Sequence, residues 1–350
     1  MSPKRLLARA AVAIIVAAAL PQTAALAVPE KAQCTKGLGV GLVDTSGSER
    51  DPRASVYVVA NAKPGSTFTR RFQVCNGTGG PLTVKLYGGD ATIAGGAFSV
   101  SEGRTRGDVA QWTTVDPGTV TLPDQTRVIA TATFTVPAQA TAGERYGVLL
   151  AELPAQRSSS GLGVASRVGV RVYLNVGEGG APKSDFAVSS LQAVRRADGT
   201  PAVLARVTNT GRRALDLRGT LLLSHGPGGL SAGPFDAQVG TTLKPGDSAP
   251  VTVPLDKAIR GGPWRAVIAL KSGLLERQAT GNLTFPDQAA SEAAPVTASP
   301  VPLYQDESAV TLFAAVLIGI MALFLLLFAL LAFLRRRERE DPRSALPATG

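Results

Sequence analysis

From Arg167 to Val176 the chain alternates without a break: Val168, Val170, Val172, Leu174 and Val176 against Arg167, Gly169, Arg171, Tyr173 and Asn175. A period of two puts every second side chain on the same face of a strand, so one face is buried and the other is not. The pattern recurs at Val128, Ala130, Ala132, Phe134 and Val136, and at Leu82, Val84 and Leu86. Turn clusters separate these runs: Lys63-Pro64-Gly65, Asn76-Gly77-Thr78-Gly79-Gly80 and Asp116-Pro117-Gly118. No amphipathic helix of useful length precedes residue 287. Short strands punctuated by Gly and Pro predict an all-β region of antiparallel sandwiches.

The pattern runs twice. Phe72 to Tyr87 reads FQVCNGTGGPLTVKLY, and Ala205 to Leu221 reads ARVTNTGRRALDLRGTL. Each is a strand, an Asn-and-Gly turn, then a strand with alternating Leu. Leu122-Pro123-Asp124 then answers to Leu243-Lys244-Pro245-Gly246-Asp247, and the Arg145–Leu149 strand to the Trp264–Ile268 strand. Two tandem Ig-like sandwiches are expected, at 36–178 and 184–286, with Gly177–Pro182 (GEGGAP) as hinge. Residues 287–307, rich in Ala, Pro, Ser and acid, read as a flexible stalk.

Val310 to Leu334 is an unbroken apolar run stopped by Arg335-Arg336-Arg337. As a helix it would be about 37 Å long, enough to cross a hydrocarbon core of about 30 Å with some tilt. The arginines predict that residues 335–350 are a cytoplasmic tail. At the other end Lys4, Arg5 and Arg9 precede an apolar stretch, and Ala25-Leu26-Ala27 is a small-x-small cleavage pattern. Residues 1–27 therefore read as a signal peptide. The alternative is an uncleaved second helix, which the short Ala-rich core disfavours. The expectation is a single-pass type I membrane protein with its sandwiches outside the cell. The last residues, Leu346-Pro347-Ala348-Thr349-Gly350, spell a sortase motif. It follows the apolar run and the arginines instead of preceding them, so it reads as coincidence.

The formal net charge is +10. Lys4, Arg5 and Arg9 carry three of these charges and the tail a net two, which leaves the exported part about +5. That excess suits anionic wall polymers or lipids. It is no nucleic-acid signature, because no basic stripe is interleaved with aromatics. Heavy use of Arg, Ala, Gly and Val reads as a high-GC, Gram-positive bacterial genome. Cys34 and Cys75, both in the exported part, are expected to pair in an oxidising compartment. Two separate buried thiols are the alternative. Two Cys and one His are too few ligands for a metal site, and no cofactor motif occurs.

Little here points to catalysis. His225, the one histidine, sits in SHGPGGLSAGP, and a solvated loop residue is the expectation. No nucleophile elbow, carboxylate couple or phosphate-binding loop accompanies it. Ser158 to Gly163 (SSSGLG) reads as a hairpin tip. Trp112 and Trp264 could stack on sugars, but their strand context favours the core. The sequons at Asn76 and Asn282 read as turn and strand residues.

The first sandwich resembles the peptidoglycan-binding domain of the WxL-interacting protein family. The residues that carry this are Gly39–Asp44 (GVGLVD), Asp51-Pro52-Arg53-Ala54, Lys63-Pro64-Gly65-Ser66 and Val74–Tyr87. Trp112–Leu122, Ala142–Leu153 (AGERYGVLLAEL) and Val168–Val176 complete the match. The resemblance spans about 140 residues and implies a cell-surface protein. Its first domain would hold peptidoglycan or another anionic wall polymer, and its second would hold another surface protein. The second domain is only loosely similar. The candidate contacts are Arg50, Asp51 and Arg53 in a polar loop, with Arg145 and Tyr146; ordinary solvated surface is the plainer reading of each. The competing function is a scaffold that presents Ig-like domains to a protein complex, by strand addition at a sheet edge and without wall binding.

Overall fold

The computed structural model describes residues 29–45, 47–102, 107–157 and 163–301, together with Met321. The expected signal peptide, the apolar run from Val310 to Leu334, the expected tail and Ser158–Leu162 lie outside the described residues, Met321 apart. Among the described residues no helix is long and apolar enough to cross a membrane. The chain divides into two compact units. One comprises residues up to Thr92 with Ser99–Ala181, the other Ile93–Phe98 with residues from Pro182 on. The boundary falls within GEGGAP.

The first unit carries strands β1 (Glu30–Lys31), β2 (Gly37–Leu42), β3 (Val58–Ala62), β4 (Thr67–Gly77), β5 (Leu82–Ala94) and β6 (Ala97–Val100). These are followed by β7 (Thr113–Asp116), β8 (Thr119–Leu122), β9 (Thr126–Thr135), β10 (Gly143–Arg157) and β11 (Gly163–Val176); only the tip joining β5 to β6, Ile93–Phe98, is grouped with the second unit. One sheet has the order β1-β9-β4-β2, with β7 on β9. The other has the order β3-β11-β10-β5-β6, with β8 on β5. Between β2 and β3 the chain changes sheets: β2 pairs antiparallel with β4, and β3 pairs parallel with β11. The expected periodicity fills the space between the sheets. Val128, Ala130, Ala132 and Phe134 of β9 face Val170, Val172, Leu174 and Val176 of β11, with Phe72, Val74, Leu86, Leu122 and Leu149. Phe68 stacks on Phe134 with ring centroids 4.7 Å apart. Cys34 and Cys75 form a disulfide, Cα–Cα 5.6 Å, tying the segment before β2 to β4. With β1 paired to β9, the domain starts before the expected residue 36.

The second unit carries β12 (Phe186–Arg195), β13 (Pro201–Asn209), β14 (Leu215–Asp216), β15 (Arg218–Ser224), β16 (Ala232–Asp236) and β17 (Thr242–Leu243). Then come β18 (Ser248–Pro254), β19 (Trp264–Ser272), β20 (Leu275–Leu283), β21 (Ser291–Glu292), β22 (Val296–Thr297) and β23 (Ser299–Val301). Its sheets are β18-β13-β12-β21, with β22 also on β12, and β16-β15-β19-β20-β23. The first, second and fifth long strands sit opposite the third, fourth, sixth and seventh. The fourth strand thus joins the third, sixth and seventh, where a constant-type Ig sandwich would place it with the first, second and fifth. Leu191, Val203, Val207, Leu221, Leu223, Val251, Trp264, Ile268 and Phe285 fill the core.

The flexible stalk expected at 287–307 is corrected over its described part, which is built into the sandwich. Within 287–307, β21 and β22 pair with β12, and β23 pairs with β20. Ala298 is buried and Val296 packs against the core. The open edges of β12 and β20 capture this segment, and strands of two or three residues are too short to show a period.

Candidate functional site

Side chains on the outer face of the second sheet of the first sandwich follow from the register. Leu149 and Ala151 of β10 point into the core, so Glu144, Tyr146, Val148, Leu150 and Glu152 point away from it. Across β11 these meet Asn175, Tyr173, Arg171, Gly169 and Arg167. Across β5, Leu150 meets Tyr87 and Glu152 meets Lys85. Four of the chain's five tyrosines, Tyr57, Tyr87, Tyr146 and Tyr173, thus gather on or over one sheet.

Alternation places Tyr173 outward, yet it is buried, because the connection between β2 and β3 folds over it. Asp51 caps a short 3-10 turn, Pro52–Ser55, by accepting from the Arg53 backbone N–H at 3.1 Å. Its carboxylate also takes the Arg53 guanidinium, Nη2–Oδ2 2.9 Å and Nε–Oδ1 3.1 Å. Arg53 is thereby held 5.3 Å above the Tyr173 ring. A buried cation is tolerated here because a carboxylate and a ring face both meet it. Tyr57 follows directly, its N–H donating to the Arg53 carbonyl at 2.8 Å. Its ring lies 5.7 Å from Tyr173, and Arg171 sits 5.4 Å from the Tyr57 centroid. Tyr146 approaches Tyr173 edge-on at 6.1 Å.

The phenols are tied down as well. Tyr146 donates to Glu144 at 2.8 Å and Tyr87 donates to Glu152. Burial, then the Glu152 hydrogen bond, push the Tyr87 phenol above its ordinary pKa, with Arg167 opposing. It is a neutral donor at physiological pH, not a nucleophile. Between the tyrosines, a side chain at Gly169 would meet Val148 at 2.7 Å and Leu150 at 3.1 Å. The glycine leaves those two branched side chains room to spread. The result is a set of rigid rings, guanidinium groups and carboxylates on β5, β10, β11 and the connection that covers them. Tyr57, Tyr87 and Tyr146 are half-exposed, and their rings offer faces on which a ligand can stack.

Of the contacts named from sequence, Asp51, Arg53 and Tyr146 belong to this cluster. The polar-loop reading of Arg53 is corrected: its side chain is 8% exposed, beneath Asp51 and against Tyr173. Arg50 is solvated, reaching Glu49 at 3.7 Å. Arg145 turns to the opposite side from Tyr146, as neighbours on a strand must. It holds Asp108 at 2.6 Å and Thr141 Oγ1 at 2.7 Å, fastening the helix Asp108–Trp112. Sequence reasoning missed Tyr57, Tyr87, Tyr173 and Arg171. The available signal was the crowding of scarce tyrosines at outward positions.

For His225, Trp264 and Trp112 the blander readings hold. His225 is exposed in its loop, Nδ1 3.1 Å from Ser224 Oγ. Trp264 is core, its indole donating to the Arg260 carbonyl at 2.9 Å. Trp112 packs, partly buried, against the first core. Among the described residues no group of three or more His, Cys, Asp or Glu side chains could hold a metal ion.

No protein-family model matches the chain, and no curated protein does. Among solved structures it is similar to the CupB2 chaperone of Pseudomonas aeruginosa, at 10% identity over 66% of this chain and 97% of that one, TM-score 0.35. The E. coli chaperone DraB gives 12% identity over 75% and 96%, TM-score 0.36. A structure of the Salmonella enterica SafA pilin with the SafB chaperone gives 10% over 76% and 97%, TM-score 0.38. Likeness at this level says nothing of function.

Proposed function

We propose that the chain is a non-enzymatic cell-surface binding protein, anchored by the apolar run Val310–Leu334. In this reading the first sandwich holds peptidoglycan or another anionic wall polymer, and the second is available to another surface protein. The tyrosine and arginine face carries the reading. Rings preset by packing lose little entropy on stacking against sugars or an extended peptide, and adjacent cations favour an anionic polymer. The family resemblance of the first sandwich supports the wall as the ligand. The test is co-sedimentation of the detergent-solubilised full chain with insoluble sacculi. Tyr57→Ala with Tyr146→Ala should weaken binding about tenfold or more, two lost ring contacts being worth at least 1.4 kcal/mol together. Absence of wall binding at low salt would overturn the proposal.

A second reading has its own observation. β3 runs beside β11 only from Val172 to Val176, and among the described residues no strand lies along that edge from Gly163 to Gly169. A protein partner could add an extended segment there. Cross-linking in intact cells that captures one stoichiometric protein, with no affinity for sacculi, would favour this scaffold role.

A further inference from the structure

The second sandwich continues to Val301, and the direction of its last strand matters. β23 runs antiparallel to β20, with Val301 opposite Gln278, so the chain leaves the sheet heading for the Gly273–Leu274 turn. Eight residues, Pro302–Ala309, separate Val301 from the apolar run at Val310. Even fully extended they reach about 28 Å.

The end of the sandwich toward which the chain points carries two protruding apolar side chains. Val239 is 87% exposed and Leu274 is 69% exposed, the two most exposed large apolar side chains among the described residues. Arg218 and Lys271, paired in register and both exposed, lie at the same end. Val239, Arg218, Lys271, Asp236 and Glu276 border one shallow depression, and nearby Arg277 is held by Asp185 at 2.8 Å. Arg218 and Lys271 are balanced here by Asp236 and Glu276, so the protruding apolar tips carry the fit to a bilayer boundary, with the two cations placed to meet the phosphates of anionic lipids. The tips enter the headgroup region while the cations meet lipid phosphates.

We infer that this end of the second sandwich rests on an anionic membrane surface, with Leu274 and Val239 dipped into the headgroup layer. The inference rests on the reading of Val310–Leu334 as the membrane anchor. The test reconstitutes the full chain into phosphatidylglycerol–phosphatidylcholine vesicles whose acyl chains are brominated near the headgroups. Leu274→Trp and Val239→Trp are compared with Leu230→Trp, on the loop at the opposite end, after subtracting the parent signal. Fluorescence added by the first two should be quenched about twofold more than that added by the third. Arg218→Glu with Lys271→Glu should reduce the difference. Equal quenching in a chain that resists carbonate washing overturns the contact and leaves the anchor standing. A Leu274→Trp signal shielded from acrylamide but untouched by bromine means a protein covers this end, and also overturns it. A chain that washes off the vesicles overturns anchor and contact together.

Discussion

Asn76 and Asn209 occupy the same post in the two sandwiches. Asn76 is next to last in β4, Asn209 is last in β13, and both are buried. The Asn76 amide donates to the carbonyls of Gly80 at 2.8 Å and Leu122 at 3.0 Å, and that of Asn209 to Arg213 and Leu243, both at 2.9 Å. Each side-chain oxygen accepts an N–H two residues on, from Thr78 at 3.1 Å and from Gly211 at 2.9 Å. One amide thus closes its own turn and pins a distant loop. Removing it deprives both carbonyls of this donor and frees the turn. Asn76→Ala and Asn209→Ala should each cost about 3 kcal/mol. Urea unfolding followed on each sandwich separately checks this: each substitution should move the transition of its own unit.

The Cys34–Cys75 bond closes a loop with a sequence separation of 41. Opening it frees the unfolded chain and should lower the stability of the first sandwich by about 4 kcal/mol. Cys34→Ser with Cys75→Ser, compared with the parent by denaturant titration, measures the loss. An unchanged midpoint would contradict it.

Acid should loosen one surface clamp. The Asp44 carboxylate accepts from Arg71 Nη2 at 2.7 Å and from the Arg71 backbone N–H at 2.9 Å. The side-chain hydrogen bond, then the backbone one, hold its pKa below the ordinary carboxylate value. A depressed folded pKa contributes stability that is complete above the unfolded value, near about 4, and is lost as pH falls through the folded one. Asp44→Asn should therefore be less stable than the parent at pH 7, with the gap shrinking toward pH 2. Thermal midpoints across that range test the sign.

Gly226 lies against the ring of Trp264: a β-carbon there would come within 2.2 Å of it. Neither the indole, fixed by its bond to Arg260, nor the backbone can step aside cheaply. Gly226→Ala should destabilise the second sandwich by about 1–3 kcal/mol, with a shift in tryptophan emission reporting the displaced ring. Gly228→Ala, two residues on with open space around it, tests strain at positive φ without the collision.

The sandwiches were legible because their long strands bury one face: Val128 to Val136 and Val168 to Val176 announce themselves by period alone. Even the duplication showed, through the turns after Asn76 and Asn209. The tyrosine face was half legible. Tyr146 and Tyr173 are directly opposed, a relationship set by strand register across a hairpin, which periodicity does not encode. Tyr57 and Arg53 reach the same spot from a connection with no period, positioned by the Asp51 cap and ring contacts. The strands after 287 were missed because their pairing is imposed by neighbouring edges and not by their own residues.

The way β21, β22 and β23 are laid along the second sandwich has a mechanical consequence. Any pull on the chain beyond Val301 meets this segment first. Only Ala298 of the three short strands and their joints is fully sunk into the core, so the segment can peel away before the long strands yield. Release of residues 287–301 would pay out roughly 50 Å of chain. Under the proposed anchoring, this segment would act as a shock absorber that gives slack under load and re-zips when the load is gone.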